Sequence, residues 1–225
     1  MNLKRCVALA LLIVPLSYSA VGAEQDLSVN ARLLAAARSG DAQALARALA
    51  GGASANARNR LGETALLVAI KRGDLPMAQV VLDAGADVNQ AAVNGVTPLM
   101  AAAFGGHVAM VTTLLAKGAD ITVRDRLKKT AMVYAVGEGH TEIVQLLLAK
   151  GIDANAIYDN DLTALMWAAG FGRTATVKAL LDAGARADLR DNRGKTALDI
   201  ARDNQHAATA TLLETAGRGG RVAGG

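Results

Sequence analysis

Three histidines carry the first candidate chemistry. His107 and His140 stand 33 residues apart, each after a glycine, and His206 falls at the same place in a later unit. Such a series could be a ladder of metal ligands, or one member could act as a base. A zinc site needs its nitrogens within about 2.0 to 2.1 Å of one ion, whereas like positions in stacked helical units lie roughly 10 Å apart. The histidines therefore read as helix-starting residues that hydrogen-bond to their own turns. Asp87, Asp120 and Asp153 keep the same period and lack the dense carboxylate spacing of a calcium loop, so they read as loop residues. The glycine pairs Gly51-Gly52 and Gly105-Gly106 fall at turns of the repeating pattern. No phosphate loop, dinucleotide fingerprint, zinc-protease helix or nucleophile elbow is present. Cys6, the single cysteine, permits neither an intramolecular disulfide nor a Cys-based zinc site. The expectation is no catalytic residue, no metal, no cofactor and no enzymatic activity.

The elements that hold these residues follow from a 33-residue period. Thr64, Thr97, Thr130, Thr163 and Thr196 form one column; Gly52, Gly85, Gly118, Gly151, Gly184 and Gly217 form a second. Leu49, Leu82, Leu115, Leu148 and Leu181 form a third, and Ala69, Ala102, Ala135, Ala168 and Ala201 a fourth. Within one unit, 130–136 and 142–149 carry apolar residues at helical spacing around Gly137-Glu138-Gly139, which predicts two short antiparallel helices. Gly151 sits where a left-handed cap is expected. One helix pair cannot bury both faces, so units must stack, with Leu115 on Leu148 and Ala102 on Ala135. This makes Leu148→Ala a core deletion costing about 2 to 5 kcal/mol.

The segments Gly95-Val96-Thr97-Pro98-Leu99-Met100-Ala101-Ala102, Gly106-His107, Glu138-Gly139-His140 through Leu148, and Gly85-Ala86-Asp87-Val88-Asn89 make the chain resemble the ankyrin repeat family. Only Pro98 keeps the proline of that signature, with Ala65, Ala131, Ala164 and Ala197 in its place elsewhere. The expected fold is all-α: a solenoid of about six 33-residue helix-turn-helix units with loop or β-hairpin arms. The repeats are placed at about 26–58, 59–91, 92–124, 125–157, 158–190 and 191–217. Arg202 and Glu214 put charges where earlier repeats have apolar residues, and Arg32 and Arg47 do so in the first unit, where Ala31 takes the threonine place. Both end units therefore read as caps.

The resemblance implies a protein partner held on loop tips and the inner-helix surface. The tips run from Arg58 and Arg60, through uncharged Val93 and Asn94, to Arg124, Arg126 and Lys128, then Asp159 and Asp161, then Arg190 and Arg193. The acidic break argues against a nucleic-acid stripe, which needs continuous positive charge with aromatic platforms. Phe104 and Phe171 stand at the ends of inner helices, where Lys71, Arg72, Glu138 and Asn204 stand in other repeats, so their rings are expected to face the groove as anchors. Tyr134 and Trp167 share a mostly apolar column with Val68, Ala101 and Ile200, which favours core packing. Met100 and Met166 are expected to line the groove floor. The candidate contact residues are Arg60, Lys71, Arg72, Phe104, Arg126, Lys128, Glu138, Asp159, Phe171 and Arg193. Two other readings are a secreted effector that binds a host protein, and a small-molecule binder or enzyme-associated subunit with a pocket at Trp167 and Phe171.

The N-terminus carries a different signal. Lys4 and Arg5 precede the apolar run from Val7 to Val14, Pro15 breaks it, and Val21-Gly22-Ala23 offers small residues before Glu24. This is the pattern of a cleavable secretory signal peptide over 1–23, leaving a repeat domain at 24–217 and a disordered tail at 218–225. Removing Lys4 and Arg5 lowers the formal charge from +4 to +2, so the repeat body is close to neutral. With no membrane span expected in the mature chain, the expectation is an exported monomer of the periplasm or the exterior of a bacterium, without nucleic-acid partners.

Overall fold

Each threonine of the repeating column begins a helix. The side chains of Thr64, Thr97, Thr130, Thr163 and Thr196 accept hydrogen bonds from the backbone N–H groups of Leu67, Met100, Val133, Met166 and Asp199, at 3.2 to 3.4 Å. A hydroxyl satisfies one of the amides that the first helical turn leaves without a partner. In the computed structural model, which describes residues 28–219, these caps open the inner helices α3 (Ala65–Lys71), α5 (Pro98–Phe104), α7 (Ala131–Glu138), α9 (Ala164–Gly170) and α11 (Ala197–Asp203). Each inner helix turns back into an outer one: α4 (Leu75–Asp83), α6 (Val108–Ala116), α8 (Thr141–Ala149), α10 (Thr174–Asp182) and α12 (Ala207–Gly219). The first pair is α1 (Val29–Ser39) and α2 (Ala42–Ala50), so six helix pairs stack in chain order. Segment 1–23, expected to be a signal peptide, lies outside the described residues. Helix α12 runs two residues past the boundary drawn at 217, and the rest of the tail is also outside the described residues.

The arms differ from hairpins. Among the described residues no strand forms, and the arms hold only isolated antiparallel bridges, Arg58 with Thr64 and Ile157 with Thr163. The tips spend their backbone groups sideways instead: Val93 N–H donates to Leu61 O at 2.8 Å, Arg126 N–H to Asn94 O at 3.0 Å and Asn192 N–H to Asn160 O at 3.2 Å. Backbone bonds thus tie three pairs of neighbouring arms, and between the Arg126 and Asn160 arms the side chain of Lys128 reaches Asp159 instead.

Stacking buries the expected alanine column. Ala69, Ala102, Ala135, Ala168 and Ala201 are fully buried, and their small side chains let successive inner helices pack more extensively than successive outer ones. The leucine column is corrected by one residue. Val81, Leu114, Leu147 and Leu180 are fully buried, whereas of the expected column Leu82 is buried and Leu49, Leu115, Leu148 and Leu181 are only partly buried. One residue turns a helix by about 100°, enough to move a side chain from the inner-helix interface to its margin. Leu147, rather than Leu148, is therefore the central core leucine.

The ends behave as caps. Arg202 donates to Glu214 at 2.6 Å across the open face of the last repeat, so the two charges that break apolar columns answer each other. At the other end Ala31 lies inside α1, because Ser28 is the cap and accepts from Ala31 N–H at 3.2 Å. The first helix begins one turn early. Arg32 and Arg47 are exposed.

The histidines do not bond to their own turns. At the start of the first two outer helices, Asp41 and Asp74 accept from Ala44 N–H and Met77 N–H. The third outer helix starts at His107 with no side-chain cap, and the last three repeats place there a donor that reaches back one repeat. His140 Nε2–H donates to Phe104 O at 3.0 Å, Arg173 Nε–H to Gly137 O at 2.9 Å and His206 Nε2–H to Gly170 O at 3.1 Å. Carbonyls at the end of an inner helix lack intrahelical partners, and these donors supply them. The close approach is why glycine precedes the histidine: a Cβ on Gly106 would come within 2.6 Å of the His140 ring, and its φ of +71° suits glycine.

Candidate functional site

Helices α5, α7 and α9 place four aromatic rings along the inner-helix face. Phe104 ends α5 and is 54% exposed; Phe171 follows α9 and is 50% exposed. Both therefore lie where the sequence placed them, on the open face. Tyr134 and Trp167 do not lie in the core. They are half-buried beneath the phenylalanines: Phe104 meets Tyr134 edge to face with centroids 5.9 Å apart, and Phe171 stacks on Trp167 at 5.9 Å and 13°. Their larger rings extend toward the groove from a column whose other members, Val68, Ala101 and Ile200, are buried. Met100 is buried yet borders the groove, while Met166 is buried in the core.

Tyr134 is held from the arm side. Its hydroxyl donates to Asp125 Oδ2 at 2.5 Å, and Asp125 is itself buried. The other carboxylate oxygen accepts from Leu127 N–H and Lys129 N–H and so shapes the arm tip. Asn59 and Asp191 hold the tips of their own arms in the same way. Burial, then the Asp125 hydrogen bond and charge, push the Tyr134 hydroxyl far above the ordinary phenol range. It stays protonated and fixed.

Lys129 completes the group. Its ammonium lies 5.6 Å from the centroid of Tyr134 and 6.0 Å from that of Trp167, within cation–π range of both rings. Tyr134 is also one wall of a slot of about 380 Å³ that opens between it and Ile70, Met100 and Phe104. The cavity thus centres on the repeat of Met100 and Phe104, two repeats toward the N-terminus from the pocket expected at Trp167 and Phe171. The arrangement offers preorganised apolar and cationic contact, which is the chemistry of recognition.

The charged candidates divide into two sets. Lys71 pairs with Glu63 at 2.7 Å, Lys128 with Asp159 at 3.0 Å and Arg193 with Asp191 at 2.6 Å, while Arg72 donates to Arg38 O at 2.8 Å. These residues already hold the stack or its tips together. Arg60, Arg126 and Glu138 are exposed, and no ion pair holds them among the described residues. Sequence reasoning missed Lys129, although its column of Glu63, Val96, Leu162 and Lys195 changes character from repeat to repeat just before the capping threonine. It also missed the exposed apolar arm residues Leu61, Leu127 and Ile157.

Among the described residues, no cluster of three or more His, Cys, Asp or Glu side chains could hold a metal ion, and no helix is long and apolar enough to cross a membrane. Residues 33–125 and 132–218 match the family model described as ankyrin repeats (3 copies). The chain belongs to the ankyrin repeat family. No curated protein matches it significantly. Ankyrin repeat proteins are typically non-catalytic binding modules, and ankyrin arrays imply protein binding. The aromatic groove of this ankyrin stack is built on the inner helices, with Phe104 and Phe171 as its two exposed rings.

Proposed function

We propose that this chain is a non-catalytic protein-binding module that works as an adaptor, stabiliser or inhibitor of one partner protein. The observation that carries the reading is the pair of half-exposed phenylalanines, each seated on a second aromatic ring across the inner-helix face. Rings held in this way lose little conformational freedom on binding, which is what interface anchors require. Export to the periplasm or the cell exterior is part of the proposal. Its support is the basic, apolar and small-residue succession over 1–23, and a cysteine-free repeat body is compatible with an oxidising compartment.

The test is affinity capture from the native envelope with tagged wild-type protein and with a Phe104→Ala, Phe171→Ala double variant. A single dominant partner retained by the wild type and lost by the variant, with helix content unchanged by circular dichroism, is the expected result. Equal capture by both proteins would remove the inner-helix face from the function.

A further inference from the structure

The groove's charges are unbalanced around its apolar slot. On the columns that border it, Lys71 and Glu63 cancel each other at 2.7 Å. Among the described residues, Arg38, Arg72 and Lys129 have no carboxylate within ion-pair distance, against the exposed Glu138 and the buried Asp125 on the acidic side. Lys129 is the best placed of them. Its backbone N–H is fixed by Asp125, its ammonium lies over two rings, and Tyr134 forms both the floor under that ammonium and a wall of the slot. Asp125 forms no ion pair with the ammonium among the described residues; its two oxygens accept from two amides and the Tyr134 hydroxyl.

Resting on the protein-binding reading above, we infer that the slot beside Phe104 takes an apolar side chain of an extended partner segment, and that Lys129 takes a carboxylate from the same segment. The partner chemistry is thus an acidic, apolar peptide. The physical logic is a division of labour. The slot of about 380 Å³ between Ile70, Met100 and Phe104 removes an aliphatic or aromatic side chain from water. Lys129, partly desolvated by the Tyr134 and Trp167 rings, binds an anion more strongly than a lysine in open water does. A basic segment is disfavoured by Lys129, Arg38 and Arg72, so the same residues reject the opposite charge.

Peptide phage display on the wild-type protein tests this, followed by titration of the strongest selected peptide in fluorescein-labelled form. The expected outcome is enrichment of peptides with a large apolar residue and Asp or Glu close by. The selected peptide should bind about tenfold more weakly to Lys129→Glu and to Phe104→Ala. Display repeated on Lys129→Glu should enrich Lys or Arg in place of the acidic residue. Enriched peptides that lose affinity for Phe104→Ala, yet have no acidic bias and bind Lys129→Glu equally well, overturn this inference while leaving the binding face intact. Peptides indifferent to Phe104→Ala and Phe171→Ala overturn both readings, and so does a selection that enriches no sequence.

Discussion

The Nε2–H of His140 donates to the carbonyl oxygen of Phe104 at 3.0 Å, tying the start of one outer helix to the end of the inner helix in the preceding repeat. The carbonyl belongs to the residue whose ring forms the edge of the groove. His140→Ala removes the donor and leaves that carbonyl to solvent, which is expected to cost about 0.5 to 1.5 kcal/mol. Urea unfolding monitored by circular dichroism reads it as a lower midpoint at unchanged slope. An unchanged midpoint would mean that the histidine column only fills space.

Burial separates two adjacent leucines that the repeat pattern treats alike. Leu147 is fully buried between repeats, and Leu148 is only partly buried. Leu147→Ala should cost about 2 to 5 kcal/mol, in the range of buried leucine deletions, and Leu148→Ala distinctly less. Equal losses in parallel urea titrations would contradict the assignment of the outer-helix core to the Leu147 column.

Periodicity made the helix pairs, the alanine stack and the capping charges Arg202 and Glu214 legible, because each is a residue type demanded at a fixed place in every unit. It could not separate Leu147 from Leu148, since both are apolar and the choice depends on how the outer helix is rotated against its neighbours. The groove shows the same limit. Phe104 and Phe171 were visible as departures from polar columns, but Tyr134 and Trp167 occupy a column whose other members, Val68, Ala101 and Ile200, are all buried. The role of Lys129 depends on rings contributed by two different repeats, and the donors His140, Arg173 and His206 bond across repeats. A pattern read within one unit does not register such contacts.

Gln205 occupies the turn place that glycine holds in all five preceding repeats, beginning with Gly40 at a φ of +80°. Its φ is +61°, against +72°, +71°, +81° and +63° at Gly73, Gly106, Gly139 and Gly172. A side chain in this left-handed region costs about 1 kcal/mol or more, while glycine adds freedom to the unfolded chain and returns part of that gain. Gln205→Gly should therefore stabilise the last repeat, with a net gain of up to about 1 kcal/mol. Hydrogen exchange of the amides in α11 and α12 is the local reading. Faster exchange there, with no rise in the global midpoint, would count against relief of strain.

Acid should weaken the C-terminal cap through Asp199. The backbone N–H of Thr196 and then its hydroxyl donate to the Asp199 carboxylate, at 3.0 and 2.8 Å, and hold its pKa below the usual aspartate value. A folded-state pKa below the unfolded one means that the stabilisation is complete above the unfolded value of about 3.9 and is lost as pH falls through the folded value. Asp199→Asn cannot titrate. The wild type should therefore be the more stable of the two at neutral pH, and the gap between their urea midpoints should close only below about pH 4. Glu63 is shifted down in the same sense by Lys71 and Asn59, so the Asn variant keeps part of the acid sensitivity. Midpoints measured every half unit from pH 7 to pH 3 distinguish the outcomes. A gap that stays constant across the range would show that the Asp199 charge does not contribute to the cap.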